Sequence, residues 1–205
     1  MGHTMVIAVS PSDLDRLDAL VQEHQTAETK WQADAEQTAG VLNLRGPGLR
    51  TARARIRAER DRLRESGRHR VTRRRALTPA LHTELEQRGL LQQWEPVPEG
   101  AQQAGQMLGG TGPHAGAGLT GRLCVALPDA IWMPLHRGLY WTNLPHLEAL
   151  QAWTDQWGRG RAAGRAAVPQ EVLDERARHA AHVTTTGTVL RAALDRIIKS
   201  RHEGA

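Results

Sequence analysis

The chain contains no phenylalanine and a single tyrosine, so aromatic packing rests on six tryptophans. A core without Phe must be built from Leu, Val, Ile and Ala. Abundant Ala favours closely approaching helices over thick sheet sandwiches, because Ala is the best helix former and a poor strand former. Cys124 is the only cysteine, which excludes an intramolecular disulfide and a cysteine-based zinc cluster within one chain. Lysine is almost missing as well: of 27 basic residues only Lys30 and Lys199 are lysines, leaving 25 arginines. Genomic base composition can produce that bias without selection for function. Its chemistry still matters, since the planar guanidinium binds phosphate bidentately where lysine acts as a point charge. No window approaches the roughly eighteen apolar residues of a membrane span, and the N-terminus lacks a basic region followed by a long apolar stretch. The expectation is a cytoplasmic protein with neither a signal peptide nor a span.

With 205 residues the chain suffices for one or two domains. Thr4 to Val9 form a short apolar run that reads as a strand. Ser10 then caps a helix, Pro11 takes its first position and Asp13 completes a capping box. Leu14, Leu17, Leu20, Val21, His24, Ala27, Trp31 and Ala35 recur mostly at helical spacing, which predicts a helix of about 25 residues. Gly46-Pro47-Gly48 marks a loop before a second helix from Leu49 to about Ser66, with Leu49, Ala52, Ile56 and Leu63 on one face. Two long helices joined this way predict an antiparallel hairpin or a dimeric coiled coil. Thr78-Pro79 reads as the opening of a third helix, running to about Gly89.

Residues 100–121 carry eight glycines and read as a linker or mobile loop. The expected organisation is a helical domain at 1–99, the Gly-rich segment, and a strand-helix-helix module at 122–205. In the last of these, Arg122 to Leu127 alternates as a strand with Leu123, Val125 and Leu127 on one face. A helix opened by Asn143 and Pro145 runs to Gly158, and two more cover about 169–182 and 187–201. Trp153 and Trp157, at helical spacing, read as core or interface residues. The fold class is therefore mainly α: an N-terminal hairpin or coiled coil with a basic arm, and a C-terminal α+β module.

Charge is segregated along this framework. From Arg45 to Arg75 there are thirteen arginines against Glu59, Asp61 and Glu65, a local charge of +10 in a chain whose total is +5. Pairs such as Arg55 with Glu59 and Arg57 with Asp61 are available at i,i+4. Three acids cannot neutralise thirteen bases. A concentrated basic stripe attracts phosphate and releases counterions, so polyanion binding is expected from Arg50, Arg53, Arg57, Arg60, Arg64, Arg68, Arg70, Arg73, Arg74 and Arg75. A solvated or protein-binding face is the alternative. No aromatic lies between residues 32 and 93, so single-strand stacking has no platform there, and duplex backbone contact fits better.

The order short strand, Pro, helix, polar turn, helix resembles the ribbon-helix-helix family of dimeric DNA-binding proteins. The stretch Ala167-Val168-Pro169 through Thr185-Thr186-Gly187 to Ile198 carries most of the likeness. Arg122 to Trp157 reads similarly, and Val6 to Leu20 gives a partial third echo. In that family paired strands enter the major groove and alternate side chains read base edges. The resemblance implies Arg122, Cys124 and Ala126 as readers in one unit, and Arg161, Ala163 and Arg165 in the other. It also implies a phosphate contact at the start of a second helix, at Thr142 and Asn143 or at Thr185 and Thr186. Pro134 falls inside the expected first helix of the earlier unit, and residues 122–141 read equally as a small β meander.

Readings as an enzyme are weaker. Gly110-Thr111-Gly112-Pro113-His114-Ala115 fits the relaxed dinucleotide fingerprint, but no strand leads into it and Pro113 interrupts it. His179 and His182 lie about one helical turn apart and could face one metal, with His136, His146 or Asp174 as a third ligand; a partly buried helix end explains them equally. Serines occupy caps and helix ends, and no carboxylate pair for hydrolysis is visible. The expectation is a protein that is not an enzyme and uses no cofactor, metal or small-molecule substrate. It would act as a homodimeric DNA-binding regulator or architectural factor gripping double-stranded DNA. The alternatives are a helical adaptor docking on an acidic protein surface and an RNA-binding accessory factor.

Overall fold

The computed structural model describes residues 2–101, 118–158 and 168–203. In chain order they form β1 (Gly2–Val9), α1 (Pro11–Thr38), a 3-10 turn (Val41–Asn43), α2 (Gly46–Glu65), α3 (Arg73–Gln87), β2 (Gly121–Pro128), α4 (Asp129–Trp157), α5 (Gln170–His182) and α6 (Thr186–Glu203). The protein is mainly helical, with one small two-stranded sheet. Among the described residues no helix is long and apolar enough to cross a membrane. The Gly-rich fingerprint, most of the expected linker, and Arg161, Ala163 and Arg165 lie outside the described residues.

β1 and β2 pair antiparallel, with Gly2 opposite Pro128 and Val9 opposite Gly121. Alternation then divides the ribbon. Ile7, Val9, Leu123, Val125 and Leu127 are buried, whereas Thr4, Val6, Ala8, Arg122 and Cys124 are exposed on the other face. The buried face rests on α1, α3, α4 and α6, and one continuous core contains Leu17, Leu77, Leu81, Leu85, Leu135, Leu190 and Leu194. Leucine thus fills the space that Phe would occupy in a more aromatic core. The segments on either side of the Gly-rich stretch share this sheet and this core.

Ser10 caps α1 as expected, its Oγ accepting from the Asp13 N–H at 3.1 Å, while the Asp13 carboxylate takes the Ser10 hydroxyl, at 2.7 Å, where a capping box would take the Ser10 N–H. α1 and α2 make an antiparallel hairpin within one chain, fastened by Arg64 donating to Glu28, and Gln25 of α1 donates to the Val71 carbonyl in the segment between α2 and α3. The third helix departs from expectation. It begins at Arg73, capped by Thr72 whose Oγ1 accepts from the Arg75 N–H, and Pro79 lies inside it. A proline here loses the bond to the Arg75 carbonyl, but burial of Ala76, Leu77, Ala80 and Leu81 on both sides offsets that loss. Gly89, at φ +66°, ends the helix and lets the Leu90 N–H return to the Leu85 carbonyl at 2.8 Å.

The meander reading of 122–141 and the helix start at Asn143 are both overturned. β2 is followed directly by α4, which passes through Pro134 and Pro145 without ending. Ile131, Leu135, Leu139, Leu147 and Leu150 keep a helical period across both prolines, so packing along the whole length outweighs two missing backbone bonds. Gly138 allows a close approach: a Cβ there would lie 2.8 Å from Leu90 Cδ2 and 2.9 Å from Trp94 Nε1. The segment after α3 is strapped against α4 at that point, with Trp141 Nε1 donating to the Glu95 carbonyl at 2.9 Å.

Candidate nucleic-acid interface

Within α2 the residues Arg50, Arg53, Arg57, Arg60 and Arg64 alternate at spacings of three and four, which puts them in one stripe beside the apolar face. That apolar face, with Leu49, Ala52, Ile56 and Leu63, is half-buried against α1, and no α2 residue is fully buried. The stripe therefore runs along one flank of the hairpin. Arg50, Arg53, Arg57 and Arg60 line a cleft of about 440 Å³ closed on the α1 side by Gln32 and Glu36. From Arg50 to Arg60 the stripe is about 15 Å long at the helical rise, comparable to the axial rise of four or five phosphates on one strand.

The ends of the basic segment do different work. Arg64 donates Nε to Glu28 at 2.7 Å and Nη2 to the same carboxylate's other oxygen. Glu28 is buried, and the hydrogen bonds from Arg64 hold its carboxyl below the ordinary range even though burial opposes this; Arg64 is raised in turn by the same contact. Arg73 is bidentate to Asp18, both contacts at 2.7 Å, and its pKa is likewise raised by that hydrogen bond. These two arginines are joints of the fold. Arg70 donates to the Gly67 carbonyl at 3.2 Å, and the backbone of Arg68 meets His24, whose pKa burial and the nearby Arg70 charge push down.

The expected pairs Arg55–Glu59 and Arg57–Asp61 are absent among the described residues. Glu59 takes Arg62 at 2.5 Å, and Asp61 takes Arg60 at 3.5 Å. Arg50, Arg53, Arg55, Arg57, Arg74 and Arg75 form no ion pair among the described residues. Arg74 is exposed in the first turn of α3, where the helix dipole disfavours a cation. A polyanion bound there would relieve that repulsion.

The other expected contacts are placed elsewhere. Arg122 and Cys124 are exposed on the open ribbon face, with half-buried Ala126 in line and Thr4, Val6 and Ala8 opposite on β1. Thr185 caps α6, its Oγ1 accepting from the Thr188 N–H at 3.1 Å. Thr185 and Thr186 line a separate cavity of about 270 Å³ with His136, Tyr140 and Leu147. Asn143, 1% exposed, holds this turn by donating Nδ2 to the Thr184 carbonyl at 2.7 Å and accepting the Thr184 N–H at 2.9 Å. Thr142 Oγ1 donates to the Gly138 carbonyl of its own helix, so neither residue opens a helix as the resemblance implied.

Two features escaped the sequence reading. The α1 wall of the arginine cleft, Gln32 and Glu36, continues a four-residue row from Glu28 that could have been matched against the α2 stripe. The antiparallel pairing of β1 with β2 was the other. Among the described residues no three histidine, cysteine or carboxylate side chains converge as a formed metal site. His146 and His179 nevertheless meet with Nδ1 atoms 3.2 Å apart, and burial, then the neighbouring His182 and His179, push the His146 pKa down. No family model, curated protein or solved structure matches this chain.

Proposed function

We propose that the protein binds double-stranded DNA through the α2 flank, as a regulator or architectural factor. The observation that carries this reading is the row Arg50, Arg53 and Arg57, held parallel on a rigid helix without carboxylate partners among the described residues. Guanidinium groups so arranged meet successive phosphates and release condensed counterions. Arg60 extends the row, and Arg74 and Arg75 at the start of α3 add a second cluster. Arg64 and Arg73 are left out, because their forks already close on carboxylates.

The open ribbon face offers a base-reading element of the kind the ribbon-helix-helix resemblance implies. Thr4, Val6, Ala8, Arg122, Cys124 and Ala126 are short apart from Arg122, so the face can enter a major groove with one long donor. Both strands come from one chain, and the homodimer implied by the resemblance is not needed to make the ribbon. Fluorescence anisotropy with a labelled random duplex of about 20–30 base pairs at low salt tests the proposal. Binding that weakens steeply as salt rises supports it. Absence of binding to any duplex at low salt refutes it, and preference for single strands moves the reading to RNA or single-stranded DNA.

A further inference from the structure

We propose that His146, His179 and His182 form a binding site for one divalent transition-metal ion of the zinc class, joining α4 to α5. The three imidazoles come from two helices and neighbour one another, with the His146 and His179 nitrogens in contact and His182 beside them. The ring centroids of His146 and His179 are 5.5 Å apart, and those of His146 and His182 are 4.9 Å apart. Two nitrogens bound to one tetrahedral zinc at about 2.0–2.1 Å lie about 3.3 Å from each other. The Nδ1 atoms of His146 and His179 stand 3.2 Å apart, at that separation.

A direct hydrogen bond between the two rings satisfies the same distance, with one imidazole donating and the other accepting. It gives no role to His182. That residue sits one turn along α5 from His179, is exposed, and presents its ring edge-on to His146. Completing the site takes a rotation about the His182 side-chain torsions, and an exposed ring resists rotation little. Two of the three ligands are thus in place, and the proposal requires the exposed His182 ring to turn toward them.

The surroundings favour a cross-link here. α5 has no fully buried residue, and its attachment to α4 rests on a small cluster of Leu147, Leu150, Val183 and Ala180, with Arg176 stacked 4.9 Å over Trp153. A metal held by ligands from both helices binds the docked arrangement and not the undocked one, and so stabilises it. With three nitrogen ligands, the fourth position is left to water or an incoming donor.

The full chain, stripped with chelator, is titrated with Co²⁺ followed by visible absorption and then with Zn²⁺ as competitor. The expected result is one Co²⁺ per chain, with a tetrahedral-type absorption that Zn²⁺ abolishes. His182→Ala, which removes an exposed side chain, should weaken binding at least about tenfold. His179→Gln should do the same, with helical content unchanged by circular dichroism, while His82→Ala on α3 should bind as the parent does. No cobalt absorption and no zinc binding at micromolar protein overturns the proposal. So does binding that is unaffected by His182→Ala, or lost equally in His82→Ala.

Discussion

Arg64 and Glu28, 36 residues apart in sequence, are joined across the α1–α2 hairpin by one guanidinium edge, Nε and Nη2, donating to both carboxylate oxygens. The joint fixes the rotation of α2 about its own axis, because a helix pinned at Arg64 on one flank must present Arg50, Arg53 and Arg57 on the same flank. The flank proposed to bind DNA is thereby oriented by an arginine whose own fork is closed on a carboxylate.

Glu28→Gln should lower stability by about 1–3 kcal/mol at about pH 7, since a charged acceptor of two hydrogen bonds becomes neutral. The Glu28 carboxyl titrates lower in the folded chain than when unfolded, so its contribution is present at neutral pH and is lost as pH falls through the folded value. Urea melts of parent and variant should converge as pH falls below the folded value of this carboxyl. A difference that stays constant from neutral to acid would show that the ion pair is not its source.

Asn143→Ala should be among the more damaging single changes in α4. It leaves both the N–H and the C=O of Thr184 without their partner in a half-buried turn, at a cost on the order of 1–3 kcal/mol. Thermal denaturation measures the loss. Thr142→Ala, which removes only a hydroxyl bonded within its own helix, should shift the melting midpoint much less.

Gly138→Ala should destabilise by about 1–3 kcal/mol, despite the higher helix propensity of alanine, because the new methyl meets Leu90 and Trp94. Tryptophan emission should report the displacement of the Trp94 ring. A variant that gained stability would show that the strap against α4 yields freely.

Much of the scaffold was legible in the sequence where the signal is local. The Ser10–Asp13 cap, the alternation from Leu123 to Leu127 and the last two helices follow from neighbours a few residues apart. Prolines misled, since by local rule Pro79 and Pro145 mark helix starts and Pro134 a break, yet all three lie inside helices whose packing continues across them. The pairing of β1 with β2 carries no local mark, because register between distant strands is decided by which faces the helices cover. For the candidate interface, the arginine run was plain, but its division was not. Arg64 and Arg73 find carboxylates 36 and 55 residues away, beyond any i,i+4 search.

Arg50→Gln, Arg53→Gln and Arg57→Gln combined test the central claim most directly, because Gln keeps helix propensity and a polar end while removing the charge. Duplex affinity is measured from low to moderate salt for the parent, for this triple variant and for Arg55→Gln on the opposite flank. The predicted result is a plot of log affinity against log salt that is shallower by about 2–3 in the triple variant and by at most about 1 in Arg55→Gln, with no change in thermal stability. Equal slopes for parent and triple variant would contradict the account.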